Sequence, residues 1–189
     1  MNKTQAIRTV IEATSDEPVI FTTGYSSRIA RHVADRPNHF YMTGSMGLAA
    51  SIGTGIALSS GRRTVVVDGD GALAMNPGCL LTAGTFADLP LFHLVLDDGL
   101  YESTGGQSVP SRRVSFSALA EASGYADVWQ VDDLTKFQEL LRSKLITCRT
   151  PTFVHCSLTE REGSGPPPRV EGELAWYQSR FAAHLATQR

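Results

Sequence analysis

No apolar run in this chain approaches the roughly 20 residues that a bilayer-spanning helix needs, so the sequence offers no membrane segment. The amino-terminal MNKTQAIRTVIEA also lacks the apolar core and small-residue cleavage site of a secretory signal. Charge of one sign is missing too. Seventeen Lys and Arg stand against 19 Asp and Glu, a net of -2, which supplies no field for nucleic acid or an anionic membrane surface. Cysteine is scarce: Cys79, Cys148 and Cys156 are odd in number and have no metal-ligand spacing. Three reduced thiols in a cytoplasmic protein are expected, rather than zinc or disulfides. No internal repeat is visible.

What remains is ordinary for a globular chain: 189 residues, 42% hydrophobic, enough for one domain over residues 1–189 with a substantial core. Apolar spacing predicts an opening helix over Thr4–Thr14. Short aliphatic or aromatic runs predict strands at Pro18–Thr22, His39–Thr43, Thr64–Val67, Leu91–Leu96, Asp127–Val131 and Pro151–Cys156. Between them, helices are expected over Arg28–Ala34, Leu48–Ser59, Ala72–Ala87, Phe116–Ala122 and Asp133–Ile146. A Gly/Pro-rich linker at 163–169 leads to a closing amphipathic helix at 172–187, with Leu174, Tyr177, Phe181 and Leu185 at helical spacing. Strands alternating with helices imply a three-layer α/β/α domain with a mainly parallel sheet.

The stretch from Thr64 to Gly106 organises the rest. Two buried-strand runs end on acidic residues beside glycine: Asp68-Gly69-Asp70-Gly71 and Asp97-Asp98-Gly99. Open parallel sheets bind ligands beyond the carboxyl ends of their strands. Asp70 and Asp98 at two such ends suggest one hard-cation site, and the glycines allow close backbone approach to an anion. Thr23–Arg28 is a further Gly-x-Ser-Ser loop before a helix; taken alone, a tight turn with capping serines is its simpler reading. His93, inside a strand run, reads as a satisfied core histidine rather than a general base. The small residues of Leu48–Ser59 read as close packing on the sheet.

Gly69-Asp70-Gly71, 25 residues, then Asp97-Asp98 resembles the metal–diphosphate motif of thiamine-diphosphate enzymes. More narrowly, LDDGLYESTGGQ (Leu96–Gln107) resembles the same segment of sulfopyruvate and phosphonopyruvate decarboxylases, and the resemblance runs from about Phe21 to Ser157. It implies the thiamine-diphosphate-binding fold, of the diphosphate-binding, β-subunit type. It implies a cofactor-binding set of Gly24, Ser26, Ser27, Gly44, Ser45, Met46, Gly69, Asp70, Gly71, Ala72, Asp98, Leu100 and Tyr101. In that set Gly44 offers a carbonyl to the aminopyrimidine, and Met46 holds the cofactor bent. Asp70, Asp98 and the Leu100 carbonyl are the implied ligands of Mg2+ (or Ca2+ or Mn2+). The family has Asn where this chain has Asp98; Asp is also an oxygen ligand for such cations, and it adds a negative charge beside a diphosphate.

The family's activating glutamate comes from a second type of domain. Glu12 and Glu17 precede the first strand, and no residue of this chain matches that motif. The resemblance therefore implies a two-chain, hetero-oligomeric decarboxylase in which a pyrimidine-binding (α-type) subunit is the partner and a small anionic 2-oxo acid the substrate. Arg28, Arg112 and Arg113 are candidates to meet the substrate anion, without assigned roles. Two alternatives are left open: a subunit of another thiamine-dependent carboligase or oxidoreductase, and a non-catalytic subunit that keeps the fold.

Overall fold

The computed structural model describes residues 1–163, 165 and 167–187. Its centre is a six-stranded, wholly parallel sheet in the order β2-β1-β3-β4-β6-β5. The strands are β1 (Val19–Phe21), β2 (His39–Tyr41), β3 (Thr64–Gly69), β4 (Leu91–Asp97), β5 (Asp127–Val131) and β6 (Thr152–Ser157). β3 and β4 are the middle strands, and their burial on both faces reflects helices on both sides. The three-layer α/β expectation matches this architecture.

One face is covered by α1 (Lys3–Ala13), α2 (Tyr25–Val33) and α7 (Leu134–Leu140), the last continuing as one wider π-turn through Leu145. Ile7, Val10, Ile29 and Phe137 pack there on Phe21, Val67 and Leu94. The other face carries α3 (Ala49–Ser60), α4 (Asp70–Met75), α5 (Gly78–Gly84) and α6 (Phe116–Ala122). Leu73, Leu80 and Phe116 pack there on Ile20, Val66, Val95 and Phe153. Gly53 of α3 has the expected cause: a Cβ there would lie 2.2 Å from Val66 Cγ2, so only glycine lets this helix sit so close to β3, whereas Gly55 faces open space. α8 (Leu174–Ala186) closes the described chain, with Tyr177 and Phe181 buried.

Three expectations need correction. The helix foreseen over Arg28–Ala34 opens at Tyr25 with no side-chain cap, so Ser26 and Ser27 stand in its first turn and not in a capping loop. The single helix foreseen over Ala72–Ala87 is two, because Pro77 has no N–H for the helical ladder and biases Asn76 out of helical geometry. Asn76 instead uses its side-chain amide to donate to the Gly47 carbonyl at 2.9 Å. The closing helix starts at Leu174, not 172, since Gly172 takes a left-handed φ of 109°. The linker foreseen at 163–169 includes Ser164 and Pro166, which lie outside the described residues.

His93 is fully buried, bonded to Tyr125 Oη at 3.2 Å and Asp68 Oδ2 at 3.3 Å, as expected of a satisfied strand histidine. All three cysteines are buried and free. No helix among the described residues is long and apolar enough to cross a membrane.

Candidate cofactor and metal site

The strand order reverses between β1 and β3: β2 lies on one side of β1, while β3 to β6 lie on the other. Loops leaving β1 and β3 therefore diverge to opposite faces and leave a crevice at their carboxyl ends, the usual ligand position in such sheets. Three segments meet there: Thr22–Ser26 after β1, Gly69–Ala72 where β3 turns directly into α4, and the loop after β4.

A small cavity of about 40 Å³ sits in the crevice, lined by Ser26, Met46, Gly69, Asp70, Gly71, Ala72, Leu100 and Tyr101 from the foreseen set, with Lys3 and Thr22. An adjoining groove of about 570 Å³ collects Gly24, Ser27, Gly44, Ser45 and again Met46, bounded by Arg28, Ser103 and Arg169. The structure thus brings twelve of the thirteen foreseen residues to one connected crevice. Gly71 shows how tight it is: a Cβ there would lie 2.5 Å from the Tyr101 ring and 3.2 Å from Met46 Cε.

The thirteenth residue, Asp98, faces a different way. Its Oδ2 accepts from Lys3 Nζ at 2.6 Å and its Oδ1 from the Leu100 N–H at 3.1 Å. It lines a neighbouring cavity with Lys3, Leu100, Glu102 and Arg112. Lys3 Nζ also donates to Glu102 Oε2 at 2.8 Å. Burial alone would lower the Lys3 pKa; Asp98 and Glu102 outweigh it and raise it.

Asp70 is the first residue of α4, only 4% exposed. Its Oδ2 accepts from the Gly99 N–H at 2.9 Å, and the same N–H serves Asp97 Oδ1 at 2.9 Å. Asp97 Oδ2 accepts from His155 Nε2 at 2.7 Å, and its Oδ1 from Ser111 Oγ at 3.0 Å. Burial, then the Asp97 and Asp98 carboxylates, pushes the Asp70 pKa up. For Asp97, burial acts upward but is outweighed by bonds with His155, Asp70 and Ser111, which hold it low.

This donor set fits a hard divalent cation. Carboxylates crowded into a buried strand end disfavour one another's ionisation, and a cation reverses that preference. Thr22 Oγ1 is buried, lines the cavity and has no partner among the described residues, so the crevice holds an unspent polar group. Among the described residues, no group of three or more His, Cys, Asp or Glu side chains is placed to hold a metal. A cation here would thus draw on backbone carbonyls and on oxygens of a bound anion, in keeping with the implied Leu100 ligand.

Sequence reasoning did not single out Lys3, Thr22, Ser111 or His155 for this site. Of these, only Thr22 had a readable signal, being the last residue of a predicted strand beside a Gly-x-Ser-Ser loop.

The profile of the thiamine pyrophosphate enzyme C-terminal TPP binding domain matches residues 22–156. The sulfopyruvate decarboxylase subunit beta of Methanothermobacter thermautotrophicus is 38% identical over 181 residues, covering 96% of this chain and 94% of that protein. The phosphonopyruvate decarboxylase of Streptomyces viridochromogenes is 42% identical over 182 residues, covering 95% of this chain but 45% of the relative. The chain thus spans less than half the length of that longer relative. Among solved structures, the thiamine diphosphate-dependent 4-hydroxybenzoylformate decarboxylase of Rhodococcus jostii RHA1 superposes with a TM-score of 0.67 at 18% identity, over 87% of this chain and 33% of its own. At that identity the superposition speaks for the fold alone. With the motif, the crevice and the near full-length relative in agreement, this chain belongs to the thiamine pyrophosphate enzyme family, as a C-terminal-type TPP-binding domain akin to the sulfopyruvate decarboxylase beta subunits and phosphonopyruvate decarboxylases.

Proposed function

We propose that this chain is the diphosphate- and metal-binding subunit of a thiamine-diphosphate-dependent 2-oxo-acid decarboxylase that acts on sulfopyruvate or phosphonopyruvate in the cytoplasm. The observation that carries this reading is the 94% coverage of a protein named sulfopyruvate decarboxylase subunit beta. A pyrimidine-binding, α-type subunit is the proposed partner in a hetero-oligomer, supplying the activating glutamate.

Thiamine diphosphate, when bound, supplies the electron sink that lets carbon dioxide leave a 2-oxo acid. The residues of this chain bind and orient it. Asp70, Asp98 and the Leu100 carbonyl would hold Mg2+, with Ca2+ or Mn2+ as substitutes, which requires Asp98 to share or leave its bond to Lys3. Gly24, Ser26, Ser27, Gly69, Gly71, Ala72 and Tyr101 would surround the diphosphate, glycine and alanine allowing backbone N–H groups to approach its oxygens. Gly44, Ser45 and Met46 would support the rings in the adjoining groove. Tyr101 and Ser103 wall the crevice on the solvent side and help exclude water from the reacting centre.

Carbon dioxide release from each 2-oxo acid, with Mg2+ and thiamine diphosphate, tests the proposal. Turnover is expected only after partner addition, and should vanish when a glutamate of the partner is changed to glutamine. The longer phosphonopyruvate decarboxylase relative favours a second arrangement, with the pyrimidine-binding part on the same polypeptide. Substantial turnover by the purified single polypeptide would select it.

A further inference from the structure

We propose that Lys3 is the built-in counter-ion of Asp98, and that it sets the balance between metal and diphosphate affinity in the crevice. The inference rests on the site reading above. Lys3 opens α1, a poor place for a cation, because the partial positive charge of a helix lies at its amino end. Its side chain is 12% exposed, and an ammonium so far withdrawn from water needs anionic partners. It has two, Asp98 Oδ2 at 2.6 Å and Glu102 Oε2 at 2.8 Å, while the Tyr25 ring centroid lies 5.9 Å away. Lys3 is also shared by both cavities: it lines the small one with Asp70, and the neighbouring one with Asp98.

The ammonium therefore lies where the charge of Asp98 is felt by any ion in the crevice. Asp98 adds one negative charge to a strand end that already holds Asp70 and Asp97; Lys3 removes one. Deleting Lys3 alone should move the two ligand classes in opposite directions. A divalent cation gains a free carboxylate oxygen and loses a competing positive charge. A diphosphate meets a more anionic wall. A purely structural role for Lys3 would not produce opposite signs.

The experiment uses Mn2+ alone, followed by the electron paramagnetic resonance of the free ion, and then inorganic pyrophosphate at saturating Mn2+, followed by calorimetry. The unaltered chain is compared with Lys3→Met, Lys3→Arg, Asp98→Asn, the Lys3→Met/Asp98→Asn double variant and Asp70→Ala. Lys3→Met should tighten Mn2+ roughly tenfold and weaken pyrophosphate by a similar factor, the scale expected for one unit charge a few ångströms away at a partly screened site. Lys3→Arg keeps the charge and should stay near the unaltered chain in both titrations. In the Asp98→Asn background only the direct charge effect of Lys3 is left, so Lys3→Met should change each affinity clearly less than it does in the unaltered chain, since coupled residues lose their coupling together. An Lys3→Met variant that binds Mn2+ no more tightly, or shows its full effects without Asp98, overturns the proposal while leaving the metal site in place. Mn2+ binding that is absent from the unaltered chain, or indifferent to Asp70→Ala, overturns the site reading and this proposal with it.

Discussion

Asp70→Asn should stabilise the metal-free chain at alkaline pH while destroying its response to metal. Asp70 is buried, and its pKa is raised to about 8 by burial and then by the Asp97 and Asp98 carboxylates. In the unfolded chain it titrates near 3.9. The folded state therefore holds a proton that the unfolded state has already released, and folding stability falls as pH rises from the unfolded value through the folded one. Each decade of that gap is worth about 1.4 kcal/mol, or ~5 kcal/mol if the whole gap fell on one residue. Asp97 shares the proton equilibrium, so about half of that, ~2–3 kcal/mol, is the expected share. Asparagine mimics the protonated acid permanently: its carbonyl can still accept from the Gly99 N–H, and its amide can donate toward Asp97. For a domain of this size, ~2–3 kcal/mol corresponds to roughly 5–10 °C in Tm. Thermal melts followed by circular dichroism in chelator, at pH 5 and at pH 8.5, provide the test. The variant's lead should be small at pH 5, only about one unit above the unfolded value, and should reach its full size at pH 8.5, above the folded one. Adding Mg2+ with thiamine diphosphate should raise only the unaltered chain. A variant advantage equal at both pH values, or absent at pH 8.5, would refute the claim that Asp70 carries the charge penalty of the crevice in chelator.

Three further outcomes are expected. Asp70→Ala should leave the circular dichroism spectrum unchanged yet abolish metal-dependent thiamine diphosphate binding by calorimetry; tight binding by that variant would remove Asp70 from the ligand set. His155→Ala takes away the 2.7 Å bond that steadies Asp97 beside Asp70, and should weaken Mn2+ binding about tenfold, typical for loss of a residue that orients a metal site from behind. Gly84→Ala places a Cβ 1.9 Å from the Ser123 carbonyl oxygen, a backbone atom that cannot swing aside, and should cost about 2–3 kcal/mol in urea denaturation with little effect on metal affinity per folded molecule.

The fold and the centre of the site were legible in the chain because both depend on short-range pattern. Short β-branched or aliphatic runs such as Val65–Val67 and Leu91–Leu96 read as strands buried on both faces, and helical spacing between them points to the crossover. Gly69-Asp70-Gly71 announces an acidic residue at a strand end where backbone approaches closely. The break at Pro77 was also written in the sequence, since a proline has no N–H to give to a helical ladder. What only the tertiary structure decided is where each carboxylate points. Asp97 and Asp98 are neighbours, and side chains alternate along a strand, so one turns toward Asp70 and His155 and the other toward Lys3. Which one does so depends on β4 ending at Asp97, and on the register that sets Val95 opposite His155 and Asp97 opposite Ser157. A one-residue slip would exchange their roles. Lys3 reaches Asp98 across 95 residues of sequence only because α1 lies along one face of the sheet with its first turn at the carboxyl end, and no local spacing encodes that contact. Local chemistry in the chain thus pointed to a cation and an anion; the long-range packing decided which charges stand beside that crevice.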